Sequence, residues 1–167
     1  QGGALTIAIT NHADSPMAAS ADHCLPLQAG VESSVAATKT FVTSVLAGLT
    51  LLAEWQQDRA LLAAIAALPD ALDQALSQDW APLSARLSRA QSAYVLGRGP
   101  TIGIAAEAAL KLKETCGLHA EAFSAAEVLH GPSAIVHQGF PVLVLGVDDA
   151  ALPHVVATAE RLAAQGA

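Results

Sequence analysis

The chain has 167 residues, of which 53% are hydrophobic, 14% charged and 4% aromatic, and its formal net charge is -7. This composition excludes an intrinsically disordered chain, because there is enough apolar surface to bury a core. The acidic balance, with no basic cluster, argues against a nucleic-acid partner. The longest apolar run, residues 40–53, is shorter than the roughly 20 residues of a membrane-spanning helix, so we expect no membrane partner.

The first third of the chain predicts two buried parallel strands followed by a long helix. The run ALTIAIT at residues 4–10 is apolar and β-branched, and a weaker run follows at residues 23–27. Both are typical of strands in a parallel sheet. After Gly30, an apolar helix of about 20 residues is predicted up to Gln57, with Ser33 or Ser34 as its N-cap.

The rest of the chain predicts a helical connector and a second α/β unit. Two amphipathic helical pieces, separated by Pro69 and Pro82, indicate the connector. A strand is predicted at residues 93–96, a helix at 102–115, a second strand at 140–147 and a second helix at 150–165. Strands that alternate with helices predict an α/β fold with parallel sheets and helices on both faces.

Three charged residues on the predicted helix 102–115 form the first candidate site. Glu107, Lys111 and Glu114 are spaced by four and three residues, so they share one narrow face. The other positions are mostly Ala and Leu, which favours a face that opens onto a cleft. The same spacing also fits a solvated stripe of ion pairs, worth a few tenths of a kcal/mol per pair.

A histidine downstream is the second candidate. The pattern from Ser124 to Glu127 fits a capping box and predicts a short helix that ends at Gly131. His130 would then lie at a helix C-terminus, where the helix dipole favours its charged form and suits it to acid/base work. A single histidine at a helix end is also commonly structural.

Two glycine-containing turns are candidate anion sites. Gly97, Arg98 and Gly99 lie between a strand and a helix, where the backbone approaches a phosphate or sugar closely. The glycine spacing does not match the dinucleotide-binding pattern, so no nicotinamide cofactor is expected. The turn at residues 30–34 precedes the long helix and is the second candidate.

The two cysteines indicate the redox environment of the protein. Cys24 and Cys116 are isolated and have no histidine at metal-ligand spacing. We therefore expect no metal site and free thiols in a reducing compartment, the cytoplasm.

Three longer motifs resemble a known family. They are SVAATKTF at 34–41, LGRGPTIGIAAEAALKLKET at 96–115 and HAEAFSAAEVLHGP at 119–132. In this order they are similar to the paired sugar-isomerase (SIS) domains of glucosamine-fructose-6-phosphate aminotransferase and of double-SIS relatives that lack a glutaminase. The resemblance implies a flavodoxin-like three-layer fold. It also implies a chain that covers parts of two SIS domains, with residues 1–57 late in the first, 58–92 as the connector and 93–167 early in the second.

The resemblance also implies the chemistry, which is aldose-ketose interconversion of a hexose 6-phosphate between carbons one and two without a cofactor. By position, Glu114 matches the carboxylate that moves the proton, and Lys111 the lysine that holds the sugar oxygens. His130 matches a ring-opening histidine that reaches across a homodimer interface. Glu32 matches a glutamate before the helix that contacts the sugar, and Ser34 and Val35 belong to the same substrate-binding segment.

Some family features are expected outside these residues, namely the main phosphate loop and an imine-forming lysine, so the chain alone is expected to be inactive. The chain also has ATKTF where the aminotransferase has STKAF, with Ala37 in place of serine. Two alternatives therefore stay open. One is a glucosamine-6-phosphate deaminase, and the other is a regulatory module that binds sugar phosphate without turnover.

Overall fold

The computed structural model describes residues 2–167. The chain forms two compact units, one up to Gln78 and the other from Asp79 to Ala167. In the described residues no single helix is long and apolar enough to cross a membrane, although the helices Arg59–Leu76 and Ala81–Leu87 together have the necessary length and composition.

The first unit contains a two-stranded parallel sheet and three helices. Strands β1 (Ile7–Thr10) and β2 (His23–Pro26) are parallel, with Ile7 opposite His23. This confirms the two predicted parallel strands. In chain order the elements are β1 (Ile7–Thr10), α1 (Pro16–Ser20), β2 (His23–Pro26), α2 (Lys39–Gln56) and α3 (Arg59–Leu76).

Three features of the first unit differ from the sequence predictions. The short helix α1 lies between the strands and was not predicted; the Ser15 side chain caps it by accepting the Ala18 N–H. Helix α2 begins at Lys39, so the prediction of Ser33 or Ser34 as its N-cap was wrong. Helix α3 continues through Pro69, and the break in the chain comes after Leu76 instead.

The second unit is built on a three-stranded parallel sheet. Strand β3 (Ser92–Gly97) lies in the centre, with β4 (His119–Ser124) and β5 (Val142–Val144) on its two sides. Two short 3₁₀-helices follow β4. In chain order the elements are α4 (Ala81–Leu87), β3 (Ser92–Gly97), α5 (Thr101–Cys116), β4 (His119–Ser124), the 3₁₀-helices Glu127–His130 and Pro132–Ile135, β5 (Val142–Val144) and α6 (Leu152–Ala164).

Alternate residues of β3 enter two separate hydrophobic clusters, because side chains of a strand point to opposite faces. Ala93 and Val95 pack with Ala105 and Ala109 of α5. Tyr94 and Leu96 pack on the other face, in a cluster completed by Val128, Val136, Phe140 and Leu162. The sheet is therefore covered on both faces, and the predicted α/β fold is confirmed.

The strand β4 and the segment after it differ most from expectation. No strand was predicted at residues 119–124, where the alternating small residues Ala120 and Ala122 of β4 pack toward α5. The predicted capping box was wrong, because Ser124 ends this strand and its hydroxyl accepts the Ala126 N–H at 3.3 Å. The helical turn that contains His130 is a 3₁₀-helix without a side-chain cap.

Candidate active site

The predicted charged face on α5 is present. Lys111 Nζ donates a hydrogen bond to Glu114 Oε2 at 2.6 Å and lies 3.4 Å from Glu107 Oε1. The helix forms because Ala and Leu dominate its other positions, and the left-handed Gly117 caps its end. Both carboxylates thus contact one ammonium, as the four-and-three spacing predicts.

This face points away from the sheet. Ala105 and Ala109 pack against β3, whereas the side chains of Glu107, Lys111 and Glu114 are 20%, 22% and 31% exposed. Hollows of about 560 and 700 Å³ in the same unit are lined by other residues.

The electrostatics keep Lys111 charged. Its hydrogen bond to Glu114 is the largest cause that raises the Lys111 pKa, and Glu107 adds to the effect. A lysine held as an ammonium stabilises a negative oxygen on a bound molecule. A carboxylate beside it serves as a general base when the ammonium moves to such an oxygen.

His130 is exposed and ends the first 3₁₀-helix, just before Gly131 with its φ of 150°. Two contacts with the rest of the second unit hold this segment in place. Val128 is fully buried, and the Tyr94 hydroxyl donates to the Pro132 carbonyl at 2.9 Å. A four-residue 3₁₀-helix is too short to supply the dipole effect that we invoked for this histidine. Its position therefore depends on packing beneath the turn.

The sheet separates His130 from Lys111 and Glu114. The anchors of the His130 turn, Tyr94 and Val128, belong to one hydrophobic cluster, while α5 packs into the cluster on the opposite face. The structure therefore brings Lys111 and Glu114 together and does not bring His130 to them within one chain.

The Gly97–Gly99 turn is shaped by close packing. A Cβ on Gly97 would lie 2.5 Å from the Thr101 carbonyl oxygen, so only glycine allows α5 to start there. The Thr101 hydroxyl accepts the Arg98 N–H and donates to the Leu145 carbonyl, both at 2.9 Å. Gly99 is exposed and has a φ of 58°. A sugar or phosphate contact at this turn stays a prediction.

In the first unit, Glu32 takes the place that we predicted for an external anion. Its Oε2 accepts the Thr40 N–H at 2.9 Å and the Thr40 hydroxyl at 2.8 Å. These two hydrogen bonds lower the pKa of the Glu32 carboxyl, and the bond from the Thr40 backbone N–H has the larger effect. The N-terminus of α2 is therefore capped by the chain itself, while Ser34 and Val35 are exposed.

Sequence reasoning missed Thr40 and Thr101 as partners of the candidate site. Thr101 follows a glycine-rich turn at a helix start, a position where a threonine commonly bonds the backbone. The partner of Thr40 is eight residues away, and no local pattern indicates it. In the part of the chain that the structure describes, no three His, Cys, Asp or Glu side chains are grouped to hold a metal ion.

Comparison with known proteins gives the family. The SIS domain model matches residues 1–54 and 86–167. A glutamine-fructose-6-phosphate aminotransferase from Pyrobaculum aerophilum is 38% identical over 99% of this chain. A similar enzyme from Aeropyrum pernix is 40% identical, also over 99% of this chain. The chain spans only 29% and 28% of the lengths of these two relatives.

Two solved structures share the fold. One, described as a phosphosugar isomerase from Silicibacter pomeroyi, is 50% identical, with a TM-score of 0.93 over 99% of this chain and 50% of its own. The C-terminal domain of glucosamine-fructose-6-phosphate aminotransferase from Francisella tularensis is 29% identical, with a TM-score of 0.80 over 96% of this chain and 48% of its own. The chain belongs to the SIS domain family.

Proposed function

We propose that the complete protein interconverts an aldose and a ketose hexose 6-phosphate, as the isomerase part of glucosamine-fructose-6-phosphate aminotransferase does. The observation that carries this proposal is the hydrogen-bonded pair of Lys111 and Glu114 on one helix face. It supplies a base and a fixed cation next to each other. The names of the SIS relatives support the same class of substrate.

In this mechanism Glu114 accepts a proton from carbon two of the open-chain aldose and returns it to carbon one, while the hydroxyl proton on oxygen two moves to oxygen one, so that the aldehyde becomes a hydroxyl and the hydroxyl becomes a ketone. The negative charge that develops on the sugar oxygen needs a cation within contact distance. Lys111 provides it by moving from Glu114 to that oxygen, which also frees the carboxylate to act as the base. No metal or organic cofactor takes part in this sequence.

His130 opens the sugar ring by acid/base catalysis in this proposal. Because the sheet lies between His130 and Glu114 in one chain, we assign the histidine of each site to the second subunit of a homodimer. In the first unit, Glu32, Ser34 and Val35 belong to the proposed substrate-binding segment, and in the second unit the turn of Gly97, Arg98 and Gly99 is the proposed sugar or phosphate contact. We retain the proposed division into residues 1–57 of a first SIS domain, the connector 58–92 and residues 93–167 of a second. The free cysteines support a cytoplasmic setting.

The experiment follows the carbon-bound proton in the complete protein. Glu114→Gln should abolish exchange of that proton with deuterated solvent, while hexose 6-phosphate binding by calorimetry persists. The matched control is Glu160→Gln, which makes the same carboxylate-to-amide change at an exposed position on α6. This variant should exchange the carbon-bound proton as the wild type does. Undiminished exchange in Glu114→Gln would remove this carboxylate from the mechanism.

A second candidate is glucosamine-6-phosphate deamination. The observation that favours it is Ala37, which stands where the aminotransferase motif STKAF has serine, so that one hydroxyl near the proposed sugar site is missing. Ammonia release from glucosamine 6-phosphate distinguishes the two reactions. Release without glutamine-dependent synthesis supports the deaminase, and binding without any turnover supports a sugar-phosphate-sensing module.

A further inference from the structure

The loop between β2 and α2 comprises residues 27–38. Hydrogen bonds from side chains outside the loop hold its first part. The Asn11 side chain, just past β1, donates to the Gly30 carbonyl at 2.7 Å and accepts the Ala29 N–H at 2.9 Å. Lys39 Nζ donates to the Val31 carbonyl at 2.5 Å. Residues 29–31 are therefore held by side chains from outside the loop.

Glu32, the next residue, is held from the other end of the loop. One carboxylate oxygen receives both the N–H and the hydroxyl of Thr40. The backbone N–H groups of Thr38 and Lys39 also favour the ionised carboxylate. The start of a helix has unpaired N–H groups and a positive potential, and it commonly binds an external anion. Here a carboxylate of the same chain fills that position.

We infer that Glu32 is a positioning residue, which closes the loop onto the start of α2 through Thr40 and does not itself hold the sugar. This inference rests on the proposed function and reassigns one member of the proposed site. The part of the loop left free to meet a substrate is its tip. Val35 at that tip is 99% exposed, and Ser34 beside it is exposed as well.

Thr40 allows the inference to be tested without removing Glu32. In the motif STKAF this position is alanine, whereas the chain has ATKTF with Thr40, so the motif lacks the hydroxyl that donates to Glu32 in this chain. Thr40→Val keeps the branched shape and removes the hydroxyl. Thr40→Ser keeps the hydroxyl and is the matched control.

The first arm measures kinetics of the complete protein with its hexose 6-phosphate substrate. Loss of one hydrogen bond to a charged group should raise KM by about fivefold in Thr40→Val and leave kcat within about twofold, because the loop tip is less well ordered before binding. Thr40→Ser should restore the wild-type KM. Glu32→Ala should raise KM further, and adding Thr40→Val to it should have no additional effect, because both changes break the same contact.

The second arm measures backbone hydrogen-deuterium exchange of peptides that cover residues 29–41. Faster exchange in Thr40→Val than in Thr40→Ser is expected. Additive effects of Glu32→Ala and Thr40→Val on KM, or unchanged exchange in Thr40→Val, would overturn the positioning role. If the wild-type protein turns over no hexose 6-phosphate, the proposed function fails, and the exchange arm still decides the role of Glu32.

Discussion

The position of His130 leads to a prediction about mixed dimers of the complete protein. Its turn packs on one face of the sheet with Tyr94, and α5 packs on the other. If each site takes Glu114 from one subunit and His130 from the other, mixed dimers of two inactive variants should regain enzymatic activity. The variants are Glu114→Gln and His130→Ala.

The expected recovery of activity follows from which subunit supplies each residue of a site. Equal amounts of the two variants, unfolded together and reassembled at random, give heterodimers as half of all dimers. In each heterodimer one site carries both substitutions and the other carries none. One half multiplied by one half gives about a quarter of the wild-type activity at equal subunit concentration.

The control pairs Glu114→Gln with Lys111→Met. Both residues lie on α5 and contact each other, so every site in that mixture retains one substitution and no activity should return. Native mass spectrometry confirms that heterodimers have formed in both mixtures. If heterodimers form and Glu114→Gln with His130→Ala stays inactive, the shared-site assignment is wrong.

Three further predictions concern stability, measured as the urea-unfolding midpoint of the complete protein. Gly97→Ala should destabilise it by about 2 kcal/mol or more, because the added Cβ would lie 2.5 Å from the Thr101 carbonyl oxygen; an unchanged midpoint would contradict the close packing at the start of α5. Tyr94→Phe should cost about 1 kcal/mol through loss of the bond to Pro132, and no loss would show that the bond to this turn is not stabilising. Because its pKa is lower in the folded protein, Glu32 contributes stability above the ordinary glutamate pKa and loses that contribution as the pH falls through the folded value. The midpoint difference between wild type and Glu32→Gln should therefore shrink below about pH 4.5, and a constant difference would contradict the charged cap.

The elements that the sequence predicted well are those with a strong local pattern. The strand β3 and the helix α5 follow from a continuous apolar run, a glycine turn and a helix rich in Ala and Leu. The ion-paired face of α5 follows from residue spacing alone, because helix geometry fixes which side chains are neighbours three and four residues apart.

The elements that the sequence predicted poorly depend on distant partners. The start of α2 was placed too early because Ser33 and Ser34 resemble N-caps, whereas the helix amides bond to Glu32 across a loop. The strand β4 was missed because its small alternating residues become strand only when β3 pairs with them in parallel. Local propensity does not contain either contact.

The sequence by itself determined that a lysine and two glutamates share one helix face, since the α-helical repeat is a property of the backbone. It also determined the motifs that place the chain among SIS domains. Only the tertiary structure decided that His130 lies across the sheet from that face. The reason is that β3 occupies the middle of the sheet, so the segments after β3 and after β4 pack against opposite faces.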